Sequence, residues 1–566
     1  MKSKITFLTL LMSLSLLAQN SLLIPSTLSG TNINLTLQNG TYQFYSGTNT
    51  STMGVNGNIL GPTILLNKGD LVNFSVNNQI GETTTIHWHG MHVSPENDGG
   101  PHTTIAANTT WNPSFTVMDK AAVYWYHPHL HTKTNEHVSK GIAGMIIVKD
   151  AEEAALALPR TYGIDDFPLV IQTKDFDSNK QIVVPSNSDD VVMVNATIDA
   201  ALSTPAQVVR FRVLNGSSMR VFNIGLNNNK TFHQIASDGG LLSATVALTR
   251  LQLAPGERAE ILIDFTGMNG QTVFLKSYAS EFQNGIYGAT NPGMGAGLTL
   301  NGYNPNPLNG ADFNIMQFNV TAQTASPITT IPTTLATVTP IAESTSNITR
   351  DLTMSPVTSG SNQLNGDFVI NGVAFDLNVI NYTIPLGNTE IWSIANNSAI
   401  AHPFHIHDVQ FFILDRDGVA PSASEQGRKD VILIKPQETI RFITKFEDFA
   451  SDNVPFMYHC HMLYHEDRGM MGQFKVVNTA LGINDEILNK NITVYPNPTN
   501  GKIYINTQNG TTINKIEIFD FLGRSLKTIN NFKKGQTIDL QNGSKGLYFV
   551  KIYSDKGTAV KKVLIN

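Results

Sequence analysis

Along most of the chain, apolar and polar residues alternate in short runs closed by Gly, Asn, Asp or Pro. Leu71-Val-Asn-Phe-Ser-Val76, Val208-Val-Arg-Phe-Arg-Val213 and Ala259-Glu-Ile-Leu-Ile-Asp-Phe265 are examples. A period of two puts successive side chains on opposite faces of a strand, and the turn residues stop each strand after a few positions. No long stretch keeps a helical period. The pattern predicts an all-β chain of packed sandwiches.

A weak internal repeat adds organisation. Asp70 to Asn78 (DLVNFSVNN), Gln207 to Asn215 (QVVRFRVLN) and Thr389 to Asn397 (TEIWSIANN) each read as a strand running into an Asn-containing turn. Histidine clusters follow the first and third copies, whereas only His233 follows the second. Three copies of one sandwich, with the middle one lacking the clusters, is the simplest arrangement. From Thr321 to Ile341 the chain is rich in Thr, Pro and Ala and has no charged residue, which reads as an extended linker. The expected division is a first sandwich over 20–152, a second over 153–320, a linker over 321–350 and a third over 351–480.

Charge marks one more module. The 566 residues carry a net charge of −6. Between Ile487 and Asn566, 12 Lys and Arg face 4 Asp and Glu, so this tail holds about +8 and the remainder about −14. Such a reversal sets 487–566 apart as a separate module, and its Pro and Gly turn followed by short alternating strands reads as a small β-sandwich. The mild overall acidity, without a basic stripe, argues against nucleic acid as a partner. Lys2 and Lys4 precede an apolar run from Ile5 to Ala18, the pattern of a signal peptide over 1–19. That run is too short to span a membrane, and no later stretch offers a transmembrane segment. An exported, soluble monomer is expected. With one cysteine, Cys460, it has no internal disulfide. A lone thiol in an oxidising compartment has to be protected or used.

The neighbours of Cys460 suggest its use. Ten of the 15 histidines fall into four clusters: His87-Trp88-His89, His127-Pro128-His129, His402-Pro403-Phe404-His405-Ile406-His407, and His459-Cys460-His461 followed by His465 and Met470. In a strand, residues i and i+2 share a face, so each His-x-His pair delivers two imidazoles to one side of a sheet. Four such pairs suit a polynuclear metal site. A Cys thiolate, two imidazoles and a weak axial thioether form the ligand set of a blue-copper centre. Cys460, His465 and Met470 offer three of these four ligands from one loop. His459 and His461 point to the opposite face and are free to bind a second centre, so one strand would wire two metal sites together.

These four clusters, with Asn56-Gly-Asn-Ile-Leu-Gly-Pro62, Trp125-Tyr-His-Pro-His129, Ile235-Ala-Ser-Asp-Gly-Gly240 and His459-Cys-His-Met-Leu-Tyr-His-Glu-Asp-Arg-Gly-Met-Met471, resemble the multicopper oxidases over roughly Leu28 to Val477. The likeness is to the three-domain bacterial group that includes cuprous oxidases, spore-coat laccases and bilirubin oxidases. It implies cupredoxin-like Greek-key sandwiches and four copper ions. His402, Cys460, His465 and Met470 would hold the type 1 copper, and His87 and His405 the type 2. His89, His127, His129, His407, His459 and His461 would hold the type 3 pair. The implied reaction is four one-electron oxidations of a small reducing substrate, coupled through Cys460 to reduction of dioxygen to two waters. That reduction consumes four protons. Asp98 and Glu466 match the acids that similar enzymes place beside the cluster. His92, His102, His131 and His137 fall outside the ligand pattern and read as residues behind the ligands or on the surface, and His233 reads as structural. Met457, Met462 and Met471 read as packing around the copper, and Trp88 and Trp125 as walls of the cluster.

The substrate signal is a departure from the family. Cuprous oxidases carry a Met-rich insertion over the blue site, but Leu352 to Asn365 holds only Met354, and Ser398 and Ile400 precede His402. This favours phenols, aminophenols or bilirubin-like organics over cuprous or other metal ions. A non-enzymatic copper carrier or scaffold with the same fold is the rival reading, and the complete ligand set opposes it. In the tail, Val494-Tyr-Pro-Asn-Pro-Thr-Asn-Gly501, Ile516-Glu-Ile-Phe-Asp-Phe-Leu-Gly-Arg524 and Gly546-Leu-Tyr-Phe-Val-Lys-Ile552 resemble the C-terminal sorting domain of type IX secretion. The resemblance implies that machinery as partner and passage through the periplasm to the cell surface or medium.

Overall fold

The computed structural model describes residues 19–294, 300, 302–358, 366–478, 491–507, 511–521, 524–540, 544–554 and 557–566. Apart from Gln19, the segment read as a signal peptide lies outside the described residues, as do residues 359–365 of the stretch compared with a Met-rich insertion. Among the described residues the chain is almost wholly β, with four short α-helices: Pro95–Asp98, Thr134–Lys140, Ala151–Ala154 and Leu463–Asp467. None is long and apolar enough to cross a membrane.

The described residues form eight sheets, two in each of four successive regions. In the first region, the sheet holding His87–His89, Ala122–His127 and Gly144–Lys149 packs on the sheet of Asn32–Tyr45 and Leu71–Gln79 around Leu35, Phe74, Val76, Trp88 and Ile146. In the third, Phe456–Cys460 lies between Met471–Val477 and His402–Ile406, and its core includes Trp392, Phe404, Phe442 and Phe474. The second has sheets of six and seven strands around Phe211, Ile224, Ile261 and Phe318. The tail pairs sheets of three and four strands over Ile503, Ile516 and Val550.

Segment ends are more interwoven than composition suggests. Asn20–Ser21 pairs in parallel with Ala200–Pro205 and so joins the second sandwich's sheet. The Thr/Pro-rich segment is held against that sandwich: the Thr245 and Leu335 amides donate to the Thr333 and Ser243 carbonyls, and Ile328 and Ile331 rest on a cluster around Leu242 and Leu262. Strand Ile348–Pro356 begins before residue 351.

The internal repeat has a physical basis. Asn78, Asn215 and Asn396 are buried at equivalent strand ends, and each side-chain oxygen accepts the backbone N–H two residues on, from Ile80, Ser217 and Ser398. Each Nδ2 donates to backbone carbonyls across the turn: Glu82, Ile105 and Ala106; Arg220 and Leu253; Ile400, Ile434 and Lys435. The third copy therefore registers on Asn396, one residue earlier than the sequence alignment through Asn397.

Alternation did not foretell which strands are covered on both faces. Every residue of Val208–Asn215 is buried. Arg210 and Arg212 survive there because Glu260 lies between them, with Glu153 on Arg210 at 2.7 Å and Asp166 on Arg212 at 2.8 Å. A buried charge persists where it is paired and hydrogen-bonded.

Candidate metal centre

Pairing between strands brings the histidine clusters together. His87 lies opposite His127, and His89 opposite Trp125, in the first sandwich; Phe404 lies opposite Cys460, and His405 opposite His459, in the third. The first pair of strands presents His87, His89 and His127 on one face, the second presents His405, His459 and His461, and the two faces meet. Rings stack across the junction, His89 on His405 at 3.8 Å and His87 on His407 at 3.9 Å.

One group gathers His402, Cys460 and His465, all buried. The Cys460 Sγ lies 3.5 Å from His402 Nδ1 and 3.6 Å from His465 Nδ1. Phe368 packs edge-on to His402 and tilted to His465, 4.7 Å from each. Met470 is buried in the same core cluster; its N–H donates to the His465 carbonyl, and its own carbonyl accepts from the Cys460 N–H at 3.0 Å. Burial pushes the Cys460 thiol above its ordinary range. Only a cation at Sγ would make a thiolate favourable there.

On the other face of the Cys460 strand the hydrogen bonds fix the imidazole tautomers. A ring nitrogen facing a carbonyl must carry the proton, because the carbonyl only accepts. Nδ1 of His87 donates to the Asp98 carbonyl, that of His405 to the Asp430 carbonyl, that of His127 to the Pro128 carbonyl and that of His459 to the Cys460 carbonyl, at 2.8–3.0 Å. His407 Nδ1 donates to the Asp98 carboxylate at 2.8 Å, and His89 Nε2 to the Asp430 carboxylate at 3.1 Å. The second nitrogen of each ring is therefore a bare lone pair.

The inward nitrogens converge, and those of His89 and His127 are two lone pairs facing each other. His89 Nδ1 lies 3.3 Å from His127 Nε2 and 3.2 Å from His461 Nε2. His129 Nε2 lies 3.0 Å from His459 Nε2 and 3.2 Å from His407 Nε2. The Nε2 atoms of His87 and His405 are buried with no hydrogen-bond partner. Facing lone pairs repel, and an orphaned buried acceptor costs about 1–3 kcal/mol. Cations at these points remove both penalties, so the donor set fits copper. Burial, reinforced by neighbouring imidazoles, drives His89, His127, His129, His405 and His459 well below the ordinary histidine range and His407 to about 4. The rings are neutral, as ligands must be.

Two carboxyls flank the cluster. Asp98 ends helix Pro95–Asp98, where Gly99 at φ 79° turns the chain; a Cβ on Gly99 would lie 1.7 Å from the Ile86 carbonyl oxygen. Burial opposes ionisation of Asp98, yet His407 and His87 together hold it below the usual carboxylate range. Glu466 stands 3.4 Å from His129 Nδ1 and 3.3 Å from His459 Nδ1 without a hydrogen-bond angle to either. Burial, then Asp467, pushes its carboxyl well up. The two carboxyls are thus pushed in opposite directions, Asp98 towards the carboxylate and Glu466 towards the acid.

The five histidines outside the ligand pattern stay outside the metal groups found among the described residues. His92 bonds to Asp408 and Asp448, His102 to Gln473, and His137 to Thr84 and Glu82; His131 packs on Phe375, and His233 sits in the second sandwich. Met457, Met462 and Met471 are buried, and Trp125 stacks on His127 at 4.1 Å. Sequence reading passed over Asp430 and Arg258. Asp430 orients His89 with its carboxylate and His405 with its carbonyl, while Arg258 grips that carboxylate. Nothing local to Asp430 signals this role, since His89 is 341 positions away.

Comparison with known proteins agrees with this geometry. Multicopper oxidase models match residues 36–153 and 345–480, and a secretion system C-terminal sorting domain model matches 493–566. A multicopper oxidase of Staphylococcus haemolyticus is 33% identical over 456 residues, covering 79% of this chain and 89% of that protein. The chain belongs to the multicopper oxidase family. A laccase-like multicopper oxidase from an Ochrobactrum species is structurally similar, with TM-score 0.70 and 32% identity over 81% of this chain and all of that one. A cell division protein of Escherichia coli, FtsP, is 30% identical over 448 residues, covering 78% of this chain and 89% of that protein. This multicopper oxidase is a copper-dependent oxidoreductase whose sorting domain directs it to the cell surface or medium.

Proposed function

We propose that the chain holds four copper ions: one at His402, Cys460, His465 and Met470, one at His87 and His405, and a pair at His89, His127, His129, His407, His459 and His461. Bound there, copper supplies one-electron oxidation of a donor at the cysteine site and reduction of dioxygen to two waters at the histidine cluster. The observation that carries this reading is Cys460 itself. Its Sγ faces two imidazoles on one side of the strand, while its neighbours His459 and His461 enter the two facing triads on the other. A covalent path of adjacent residues then joins the site of oxidation to the site of reduction.

The protein's own groups manage the protons. Glu466, neutral beside His129 and His459, holds one to give, and Asp98, ionised against His407, is placed to pass others towards His87. The surrounding aromatic and aliphatic side chains exclude water from both centres.

The donor is an electron-rich organic of the phenol, aminophenol or bilirubin class. Two observations support this. No Met-rich run stands in the sequence before His402, and the Ochrobactrum protein is described as oxidising lignin model compounds and lignosulfonate. A cuprous or other metal-ion oxidase is the second reading within the same chemistry. Export begins with a signal peptide at 1–19, and type IX machinery removes the tail on passage. Dioxygen uptake by copper-loaded protein, compared across a phenol, bilirubin, ferrous ion and cuprous ion, tests the donor class. Turnover is expected to favour the organics. A preference for cuprous ion above about tenfold, or roughly 1.4 kcal/mol at the transition state, overturns the assignment.

A further inference from the structure

The second sandwich supplies no imidazole or thiol to the copper groups, yet its turn Ala254–Arg258 reaches one triad. Gly256, at φ 86°, backs His461 so closely that a Cβ there would lie 3.0 Å from the imidazole. Two residues on, Arg258 is fully buried and uses all five of its N–H donors. Nη1 donates to Asp430 Oδ1 at 2.5 Å and to the Gly256 carbonyl, and Nη2 to Asp430 Oδ2 at 2.6 Å and to the Asp238 carbonyl. Nε donates to the carbonyl of Val123, on the strand that ends in His127. One guanidinium thus joins all three sandwiches at the edge of the cluster. Room for the pair is made by Gly90, directly after His89: a Cβ there would meet both the Arg258 Nη2 and the Asp430 Oδ2 at 2.5 Å.

Resting on the copper reading above, we propose that Arg258 is a positioning residue. By locking the Asp430 carboxylate in one orientation, it fixes His89 in the tautomer that turns Nδ1 towards His127 and His461. With the two carboxylate oxygens held by a fork, Oδ1 is left aimed at His89 Nε2. The Asp430 backbone, anchored by the same grip, aims its carbonyl at His405 Nδ1. The second sandwich therefore sets the geometry of a centre to which it contributes no ligand. Lysine cannot do this, since a single ammonium lacks the planar fork.

The test uses the full-length, copper-loaded chain with Arg258→Lys and Asp430→Asn. Lys429→Met serves as contrast: it removes the neighbouring ion pairs to Asp238 and Glu257, both at 3.0 Å, and leaves Asp430 on His89. Copper retention against a chelator and the magnetic resonance of the cluster are read alongside the blue absorption. Arg258→Lys and Asp430→Asn are expected to release cluster copper about 10–100-fold more readily, with an altered cluster signal and an unchanged blue band. Lys429→Met is expected to match the parent. Parent-like retention in both test variants overturns the proposal. Equal loosening in Lys429→Met also overturns it, because the effect would then belong to the interface at large. Should Asp430→Asn fail to fold, Arg258→Lys, which keeps the charge and removes only the fork, carries the test alone. A parent chain that binds no copper would instead defeat the copper reading itself.

Discussion

At the scale of single residues, the chemistry turns on which atom holds a proton. Cys460 is a neutral thiol until a cation meets its Sγ, and the cluster imidazoles are neutral rings whose free nitrogens face inward. Cys460→Ser replaces the soft ligand with a hydroxyl, so the blue absorption and donor oxidation are both expected to vanish while copper in the histidine cluster is retained. Visible spectra with metal analysis check this. Asp98→Asn and Glu466→Gln keep shape and remove acid–base capacity. Reoxidation of the reduced enzyme by dioxygen should slow by roughly 10²–10⁴-fold with the blue band intact, as stopped-flow absorbance would show. The grouping of the histidines with Cys460 was legible because a metal-binding chemistry needs particular residue types at strand spacing. Asp430 and Arg258 were not, because a carboxylate that orients an imidazole leaves no mark on local spacing.

At the scale of elements, the buried Asn brackets govern how strands feed the site. Asn215→Ala strands the Arg220 and Leu253 carbonyls and the Ser217 N–H. At about 1–3 kcal/mol for each stranded group, it should lower the melting temperature and leave the blue absorption alone. Asn396→Ala should do both kinds of damage. Ser398 hydrogen-bonds Asn396 at 2.7 Å and lies 3.0 Å from His402 Nε2, so loss of the bracket frees a ring assigned to copper. Melting curves and visible spectra of the two variants separate the effects. Period-two alternation was enough to read the chain as β and to find the repeat. It missed the register of the third copy because Asn396 and Asn397 are adjacent, and only burial selects between them. It also missed the double coverage of Val208–Asn215, since an Arg on a covered face and an Arg in solvent look alike until Glu260 and Asp166 are brought beside them.

At the scale of the molecule, the metal groups occupy two places with different reach. The histidine cluster lies where the first and third sandwiches meet, with the second sandwich bracing it through Arg258; the cysteine site lies within the third sandwich, under Phe368. Both groups are buried, one within a single sandwich and the other at the junction of two. The tail, opposite in charge to the rest of the chain, belongs to delivery. The central claim is that electrons collected singly at Cys460 are spent together on dioxygen. The stoichiometry of donor oxidised to dioxygen consumed, measured during steady turnover with peroxide assayed in the same vessel, tests it most directly. Four one-electron oxidations per dioxygen with no peroxide is the predicted result; two per dioxygen with peroxide accumulating would contradict the coupling.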